Sequence, residues 1–286
     1  QREGWVQTKP LPDAVAVGVS TANSSINLEA DCACGGTWAT YTGPAVVDYG
    51  KLAMDTALQT TSITALRQQA GMATLDGRGT TTVVIDTGID VNHSFFGPDL
   101  NGNGVADRIV YQWDFANNDA DASDFNSHGS NVASIIGSQD GTYYGVAPGT
   151  NLIVLKVFTD SGSGTFGYLE QALQWVLSNR EAYGIDVVNM SLGDSGNWTD
   201  TFSRYGIGDE LAALAQTDTI TLAAAGNNYL QFGQMGVAYP GSDPAVIAVG
   251  ATWAANFGGP WTVSTGATRL FWPLPASQAT TLEWAL

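Results

Sequence analysis

The sequence is poor in basic residues, in histidine and in cysteine. Its 286 residues include 10 lysines and arginines against 27 aspartates and glutamates, which gives a formal net charge of −17. A surface of this sign repels phosphate backbones and anionic lipid headgroups, so we expect neither a nucleic-acid partner nor a membrane partner. The same surface is suited to bound cations such as Ca²⁺.

Long hydrophobic runs are also missing. No stretch of about 18 apolar residues occurs, so the sequence predicts no membrane-spanning helix. The sequence begins at Gln1 without the basic and apolar regions of a signal peptide. We therefore expect any signal peptide to have been removed, and we expect the protein to be secreted. Cys32 and Cys34 are one residue apart, and we interpret them as ordinary thiols rather than a disulfide or a zinc site.

The pattern of the chain changes near residue 60. Residues 1–60 are weakly periodic, and we interpret them as an N-terminal extension or the remnant of a pro-segment. In the rest of the chain, β-branched runs alternate with amphipathic segments, which predicts an α/β fold with a parallel sheet covered on both faces. The predicted strands are 80–85, 151–158, 185–190, 219–224 and 245–250, and the predicted helices are 61–70, 128–137, 168–179 and 207–215.

Only two histidines are available as a general base at neutral pH. His93 lies in a loop, whereas His128 stands at the start of the predicted helix 128–137, with Ser127 as its N-cap. A helix N-terminus favours the neutral imidazole, which can accept a proton. A catalytic base and an incidental histidine at a helix start are both compatible with this position.

A carboxylate and an amide follow two of the predicted strands. Asp86 ends the first strand, where its charge is costly to bury unless a partner such as a histidine ring N–H accompanies it. Asn227 follows the strand 219–224 and could aim its amide at developing negative charge. Each has a structural alternative, because strand-end aspartates cap turns and Gly-Asn-Asn is a common turn sequence.

Six short blocks between residues 64 and 252 resemble the subtilisin-like serine proteases, the subtilases, in sequence and in order. The resemblance implies a three-layer α/β/α sandwich with a mainly parallel sheet. It also implies a serine endopeptidase that hydrolyses peptide bonds of a polypeptide substrate and that we expect to be a monomer. The blocks are DTGID at 86–90, SHGSNVA at 127–133, GVAPG at 145–149, VNMSLG at 188–193, AGN at 225–227 and YPG at 239–241.

The resemblance also implies roles for particular residues. Asp86 would orient the histidine, His128 would be the general base, and Asn227 would donate to the oxyanion. Two extended backbone segments would pair with the main chain of the substrate by strand addition. These substrate-binding segments are Gly162, Ser163 and Gly164, and Ser191, Leu192 and Gly193.

The nucleophile is where the chain departs from the family. No segment like Gly-Thr-Ser-Met-Ala follows Asn227, and Ser242, Ser264 and Ser277 stand in other contexts, so we assign the nucleophile to none of them. We expect residues 61–286 to be a subtilase-like catalytic domain that is C-terminally incomplete and hydrolyses no peptides at enzymatic rates. A diverged pseudo-enzyme that binds peptides is the alternative.

A glycine-rich polar segment predicts a metal site. Residues 99–107, DLNGNGVAD, place oxygen donors at alternate positions, as in the first part of a calcium-binding loop. The twelfth position is Val110 instead of glutamate, so the segment is not an EF-hand. A solvated polar loop is the alternative, but subtilases often bind structural Ca²⁺, which favours a site. The expected ligands are Asp99, Asn101, Asn103, the carbonyl of Val105, and Asp107.

Two other enzyme classes share short motifs with the chain. Residues 162–167 match the GxGxxG fingerprint of dinucleotide-binding oxidoreductases, but three residues separate them from the preceding strand, and Asp186 begins a strand instead of ending one. Residues 86–88 form the DTG motif of aspartic proteases, whose mechanism needs a second such aspartate. The chain has no second DTG. Both of these enzyme classes are therefore less well supported by the sequence than the subtilases.

Overall fold

The computed structural model describes residues 57–58, 61–227 and 232–250 with their side chains, together with the backbone of six short strands outside these ranges. The chain divides into two compact units, one of residues 1–8 and 75–249 and the other of residues 9–74 and 250–286. The boundary near residue 60 between an extension and a catalytic domain stays a prediction.

Thirteen strands lie in the described part of the chain. In the first unit, six of them form one parallel sheet in the order β11–β10–β9–β5–β7–β6, and β1 pairs antiparallel with β8. In the second unit, β2, β3 and β4 form an antiparallel sheet, and β12 pairs with β13. The strands are β1 (Gly4–Val6), β2 (Ala16–Gly18), β3 (Ser25–Glu29), β4 (Ala39–Thr42), β5 (Thr81–Asp86), β6 (Ile109–Asp114), β7 (Asn151–Lys156), β8 (Ser163–Thr165), β9 (Ile185–Met190), β10 (Ile220–Ala224), β11 (Ile247–Val249), β12 (Trp261–Thr262) and β13 (Thr268–Arg269).

Helices cover both faces of the six-stranded sheet. Val83 and Ile85 of β5 pack in one core with the third and fourth helices, and Val84 packs in a second core with the second helix. This alternation explains why β5 is buried along its whole length and is almost entirely apolar or β-branched. The predicted three-layer α/β/α sandwich is therefore confirmed. The helices of this unit are α2 (His128–Gly137), α3 (Phe166–Tyr183) and α4 (Gly208–Leu214), and α1 (Ile63–Arg67) belongs to the second unit.

Within the six-stranded sheet and the helices that cover it, α3 and β6 differ most from the sequence prediction. Helix α3 is longer than 168–179 because the Thr165 hydroxyl accepts a hydrogen bond from Tyr168 N–H at its start and Gly184 ends it in the left-handed region, with φ of 57°. Strand β6 was not predicted at all. It is an edge strand of mixed exposure, so it shows no continuous apolar run.

The order of the strands places a crevice at the carboxyl end of β5. The chain runs from β5 to the edge strand β6, returns to β7 beside β5, and then crosses to β9 on the other side of β5. Ligands of open α/β sheets bind at such a reversal of strand order. Asp86 ends β5 at this point, in register with Lys156 at the end of β7. No helix among the described residues is both long and apolar enough to cross a membrane.

Candidate active site

The end of β5 and the start of α2 bring a carboxylate and an imidazole into contact. Asp86 Oδ1 lies 2.7 Å from His128 Nδ1, and both side chains are buried, Asp86 completely. Because an ionised carboxylate only accepts hydrogen bonds, Nδ1 carries the proton and Nε2 is the basic nitrogen. The pair therefore has the arrangement of an oriented general base.

Gly129 allows this close approach. A Cβ atom at Gly129 would lie 2.1 Å from the carbonyl oxygen of Gly88 and 3.2 Å from Asp86 Oδ1. The N–H of Gly129 also donates to the Thr87 hydroxyl at 2.9 Å. Any larger residue after His128 would push α2 away from β5, so this glycine sets the spacing of the carboxylate and the ring.

The carboxylate of Asp124 shapes the turn that leads into His128. Ser127 is the N-cap residue of α2, as predicted, at φ of 74°, but its hydroxyl makes no capping hydrogen bond. Asp124 caps the helix instead because its two oxygens reach more of the exposed amides. Its Oδ1 accepts from Asn126 N–H, Ser127 N–H and the Thr87 hydroxyl, and its Oδ2 accepts from the N–H and hydroxyl of Ser130.

The second histidine has a different and local role. His93 is the N-cap of a single 3₁₀ turn, Ser94–Phe96, where its Nδ1 accepts from Phe95 N–H at 3.2 Å. Its ring also makes an edge contact with the Phe95 ring, with 4.5 Å between ring centres. Of the two candidate bases, His128 is the one that faces a carboxylate.

Asn227 lies at the same edge of the sheet as this pair. It follows β10, which is separated from β5 by the single strand β9. With neighbouring strands about 4.8 Å apart, the ends of β5 and β10 are about 10 Å apart. This is compatible with an oxyanion donor that serves the same substrate as His128.

The two predicted substrate-binding segments flank this edge. Gly162 forms a turn at φ of 80°, and Ser163 and Gly164 belong to β8, which pairs with the N-terminal strand β1 in antiparallel register. The segment 191–193 continues directly from β9, with Leu192 and Gly193 buried. The glycines of the GxGxxG match thus lie in the turn before β8, in β8 and at the start of α3.

Lys156 is a buried charge that the sequence analysis missed. Its side chain is 1% exposed, and Nζ donates to Asp160 at 2.5 Å and to the Ser123 carbonyl at 3.0 Å, with Asp114 Oδ2 at 3.3 Å. Burial alone would lower the pKa of Lys156, but the two carboxylates outweigh it and the pKa is raised. A lysine at the end of an otherwise apolar strand was the signal available in the sequence.

The predicted calcium ligands form a closed loop. The Asp99 carboxylate accepts the N–H groups of Gly102 and Gly104 at 2.7 and 2.8 Å, and the hydrogen bond from Gly104 is the main cause of the lowered pKa of Asp99. Asn101 Nδ2 donates to Asp107 Oδ1 at 3.0 Å, and Val105 N–H donates to Asn103 Oδ1 at 2.9 Å. Only two carboxylates take part, and no group of three or more acidic, histidine or cysteine side chains suited to a metal occurs among the described residues.

Fold and site together define a class of protein: a parallel α/β/α sandwich with a buried aspartate that orients a histidine at the carboxyl edge of its sheet. The family model described as "Subtilase family" matches residues 77–275. The chain therefore belongs to the subtilase family. This assignment excludes a dinucleotide-binding oxidoreductase and an aspartic protease. Asp186, the acidic residue considered for nucleotide binding, accepts a hydrogen bond from Thr81 N–H at 3.0 Å.

Individual relatives agree with the family. The chain is 38% identical to the alkaline serine exoprotease A of Vibrio alginolyticus over 54% of its own length and 25% of the relative. It is 34% identical to subtilisin DY of Bacillus licheniformis over 59% of its length and 54% of the relative. A crystal structure of a cold-adapted subtilisin-like serine proteinase matches 64% of this chain and 58% of that chain, at 33% identity and a TM-score of 0.49. The chain thus spans between a quarter and somewhat more than half of these proteins.

Proposed function

We propose that the chain forms the greater part of the catalytic site of a serine endopeptidase that cleaves polypeptides. In this proposal Asp86 orients the ring of His128, His128 is the general base, and Asn227 stabilises the oxyanion. The contact of 2.7 Å between Asp86 Oδ1 and His128 Nδ1 is the observation that carries it. No serine is assigned as the nucleophile, since Ser264 and Ser277 lie outside the described residues and Ser242 is buried in the turn after Pro240.

Two histidine variants test this function. His128→Ala removes the base, and His93→Ala is the matched control because the His93 ring contacts Phe95 and Phe96 of its own turn. In any preparation that hydrolyses casein, we expect His128→Ala to lower kcat by about 10⁴-fold or more and His93→Ala to change it by less than about two-fold. Normal hydrolysis by His128→Ala would overturn the proposal.

A peptide-binding module without catalysis is the second candidate, and the pairing of β1 with β8 favours it. This pairing shows that the edge of β8 accepts an extended segment in antiparallel register. A fluorophosphonate probe separates the two candidates. Labelling of a serine that depends on His128 supports the endopeptidase, whereas peptide binding without labelling or hydrolysis supports the binding module.

We further propose that the substrate main chain pairs with residues 162–164 and 191–193. Both segments leave strands of the sheet at the edge where Asp86 and His128 meet. An extended peptide on residues 191–193, or on residues 162–164 in place of β1, would lie near His128. Main-chain pairing tolerates many side chains. Replacing one peptide N–H at a time by an ester oxygen should weaken binding where that N–H pairs with these segments.

We also propose that residues 99–107 bind a structural Ca²⁺. Their ligand atoms are all oxygens, the type that Ca²⁺ prefers. Asp99 Oδ2 and the two carboxylate oxygens of Asp107 each accept one hydrogen bond, which leaves each of them a lone pair for the ion. The held ion would neutralise Asp99 and Asp107 and stabilise the loop. Adding 1 mM Ca²⁺ to chelated protein should raise the melting temperature of the native sequence and not that of Asp99→Asn. An equal rise in both proteins, or none in either, would contradict this site.

A secreted, monomeric state completes the proposal. It is supported by the family and by the strongly negative net charge. Fractionation of the source cells and light scattering of the purified protein test the two statements separately.

A further inference from the structure

Asp194 directly follows the candidate substrate-binding segment 191–193, and its carboxylate accepts four hydrogen bonds. It is half-buried, and both of its oxygens accept two hydrogen bonds. Oδ1 accepts from the backbone N–H groups of Gly196 at 2.8 Å and Tyr239 at 3.0 Å, and Oδ2 accepts from Trp198 Nε1 at 2.8 Å and the Tyr205 hydroxyl at 2.9 Å.

Asp194 connects the segment 191–193 to the segment that carries Asn227. Its own N–H donates to the Tyr239 carbonyl at 2.9 Å, so Asp194 and Tyr239 are bonded in both directions. The neighbouring Ala238 N–H donates to the Ala225 carbonyl at 2.7 Å, two residues before Asn227. A strand-like link of three residues, 237–239, therefore joins the two sides of the candidate site.

The contacts along this link are too close for side chains to be added. A Cβ atom at Gly193 would lie 2.9 Å from the Cβ atom of Ala238, and one at Gly226 would lie 2.7 Å from the same atom. Ala238 thus sits between the two glycines, and any shift of residues 237–239 must move both neighbouring segments.

Asp194 also reaches the third candidate segment through an aromatic contact. The ring of Tyr205, whose hydroxyl bonds Asp194, stacks on Phe166 with 4.1 Å between ring centres. Phe166 is the residue directly after β8. The position of Asp194 therefore bears on segments 162–164, 191–193 and 225–227 together.

We propose that Asp194 is a positioning residue that fixes the mutual placement of these three backbone segments for an extended peptide. The proposal rests on the proposed function, because it assigns the peptide to these same segments. Asp194 touches no reacting atom, so its effect falls on peptide affinity through the geometry of the site.

Asp194→Asn tests the proposal through one defined conflict. An asparagine can keep its oxygen towards the two backbone amides, but its NH₂ group then faces Trp198 Nε1–H, which can only donate. Trp198→Phe is the matched control because it removes one hydrogen bond and leaves the carboxylate. The double variant removes the conflict and should behave like Trp198→Phe.

Two readouts are measured on the full chain. The probe is tetraalanine amide labelled with fluorescein at its N-terminus. We expect Asp194→Asn to weaken its binding about 10-fold, and both Trp198→Phe and the double variant to stay within about three-fold of the native sequence. Native-state hydrogen exchange of the Ala238 amide should quicken about 10-fold in Asp194→Asn and recover in the double variant.

The two readouts separate the proposals. Unchanged exchange at Ala238 in Asp194→Asn overturns the positioning role, whatever the peptide does. Faster exchange with unchanged peptide affinity also overturns it. If the native protein binds no probe while exchange at Ala238 responds as expected, the proposed binding of peptides at these segments is refuted. The link between the three segments is then still supported.

Discussion

The carboxylates at the edge of the sheet and those of the loop 99–107 obtain their hydrogen bonds in different ways. Asp86 and Asp114 are fully buried, and besides hydrogen bonds from their own turns they face partners on other elements, His128 and Lys156. Asp99 is partly exposed, and like Asp107 it accepts hydrogen bonds from groups no more than seven residues away. The contacts with His128 and Lys156 depend on how separate elements are placed, whereas the contacts of Asp99 and Asp107 depend on a local loop. Loss of a partner should therefore cost most at the sheet edge.

The largest effect is expected for Asp86→Asn. The amide can donate to Nδ1 of His128, which would favour the tautomer that carries its proton on Nε2 and remove the base. In a preparation that hydrolyses peptides, kcat should fall about 10⁴-fold, whereas Asp99→Asn should leave kcat unchanged.

The ring itself provides a second measurement of Asp86→Asn. ¹⁵N NMR should show the proton of His128 on Nδ1 in the native sequence and on Nε2 in the variant. Since the chain has only two histidines, His93 is an internal reference. The same tautomer in both proteins would contradict the orienting role of Asp86.

The next effect is expected for Lys156→Met. It leaves the Asp114 carboxylate buried without its cation, which should lower the free energy of unfolding by about 3 to 5 kcal/mol in urea titrations. Because the pKa of Lys156 is raised on folding, its contribution is present in full below the unfolded pKa of about 10.4 and is lost as the pH rises through the folded pKa.

The difference between the native sequence and Lys156→Met should thus be constant from pH 7 to about pH 10 and shrink above that. A variant as stable as the native protein at pH 7 would show that the ion pair contributes nothing.

Asp124→Asn should have a smaller effect on stability. In the native protein Asp124 Oδ2 accepts a hydrogen bond from Ser130 N–H. In the variant the asparagine NH₂ group would face this N–H, so one donor at the start of α2 loses its partner. We expect a loss of about 1 to 3 kcal/mol in the free energy of unfolding.

Asp140→Asn is the matched control for this variant. Asp140 accepts two backbone N–H groups with the single oxygen Oδ1, which an asparagine retains, so the loss should stay below about 0.5 kcal/mol. Equal losses in the two variants would show that the turn before His128 depends little on Asp124.

The sequence predicted most of what the parallel sheet determines. Apolar runs located five of the six strands of the sheet, and the motif blocks identified Asp86 and His128, which the fold brings together. Such predictions succeed because a strand buried on both faces has few alternatives and because parallel strands end at a common edge.

The remaining features depend on contacts that no local pattern records. The sequence places Lys156 at the end of an apolar strand, but only the pairing of β7 with β6 sets it beside Asp114. Asp194 reads as a turn residue, and its partners Trp198, Tyr205 and Tyr239 come from three separate segments. Side-chain hubs of this kind are fixed by tertiary structure and not by periodicity.

The smallest effect is expected where the partners are local, at Asp99→Asn. The hydrogen bond from Gly104 lowers the pKa of Asp99, so this carboxylate adds stability above its unfolded pKa and loses that contribution as the pH falls through the folded pKa. In the absence of Ca²⁺, melting temperatures of the native sequence and the variant should differ slightly at pH 7 and converge in acid. A pH-independent difference would mean that the loop needs the shape of Asp99 and not its charge. A loss larger than that of Lys156→Met would show that this loop, despite its exposure, supports the fold as strongly as the buried sheet edge does.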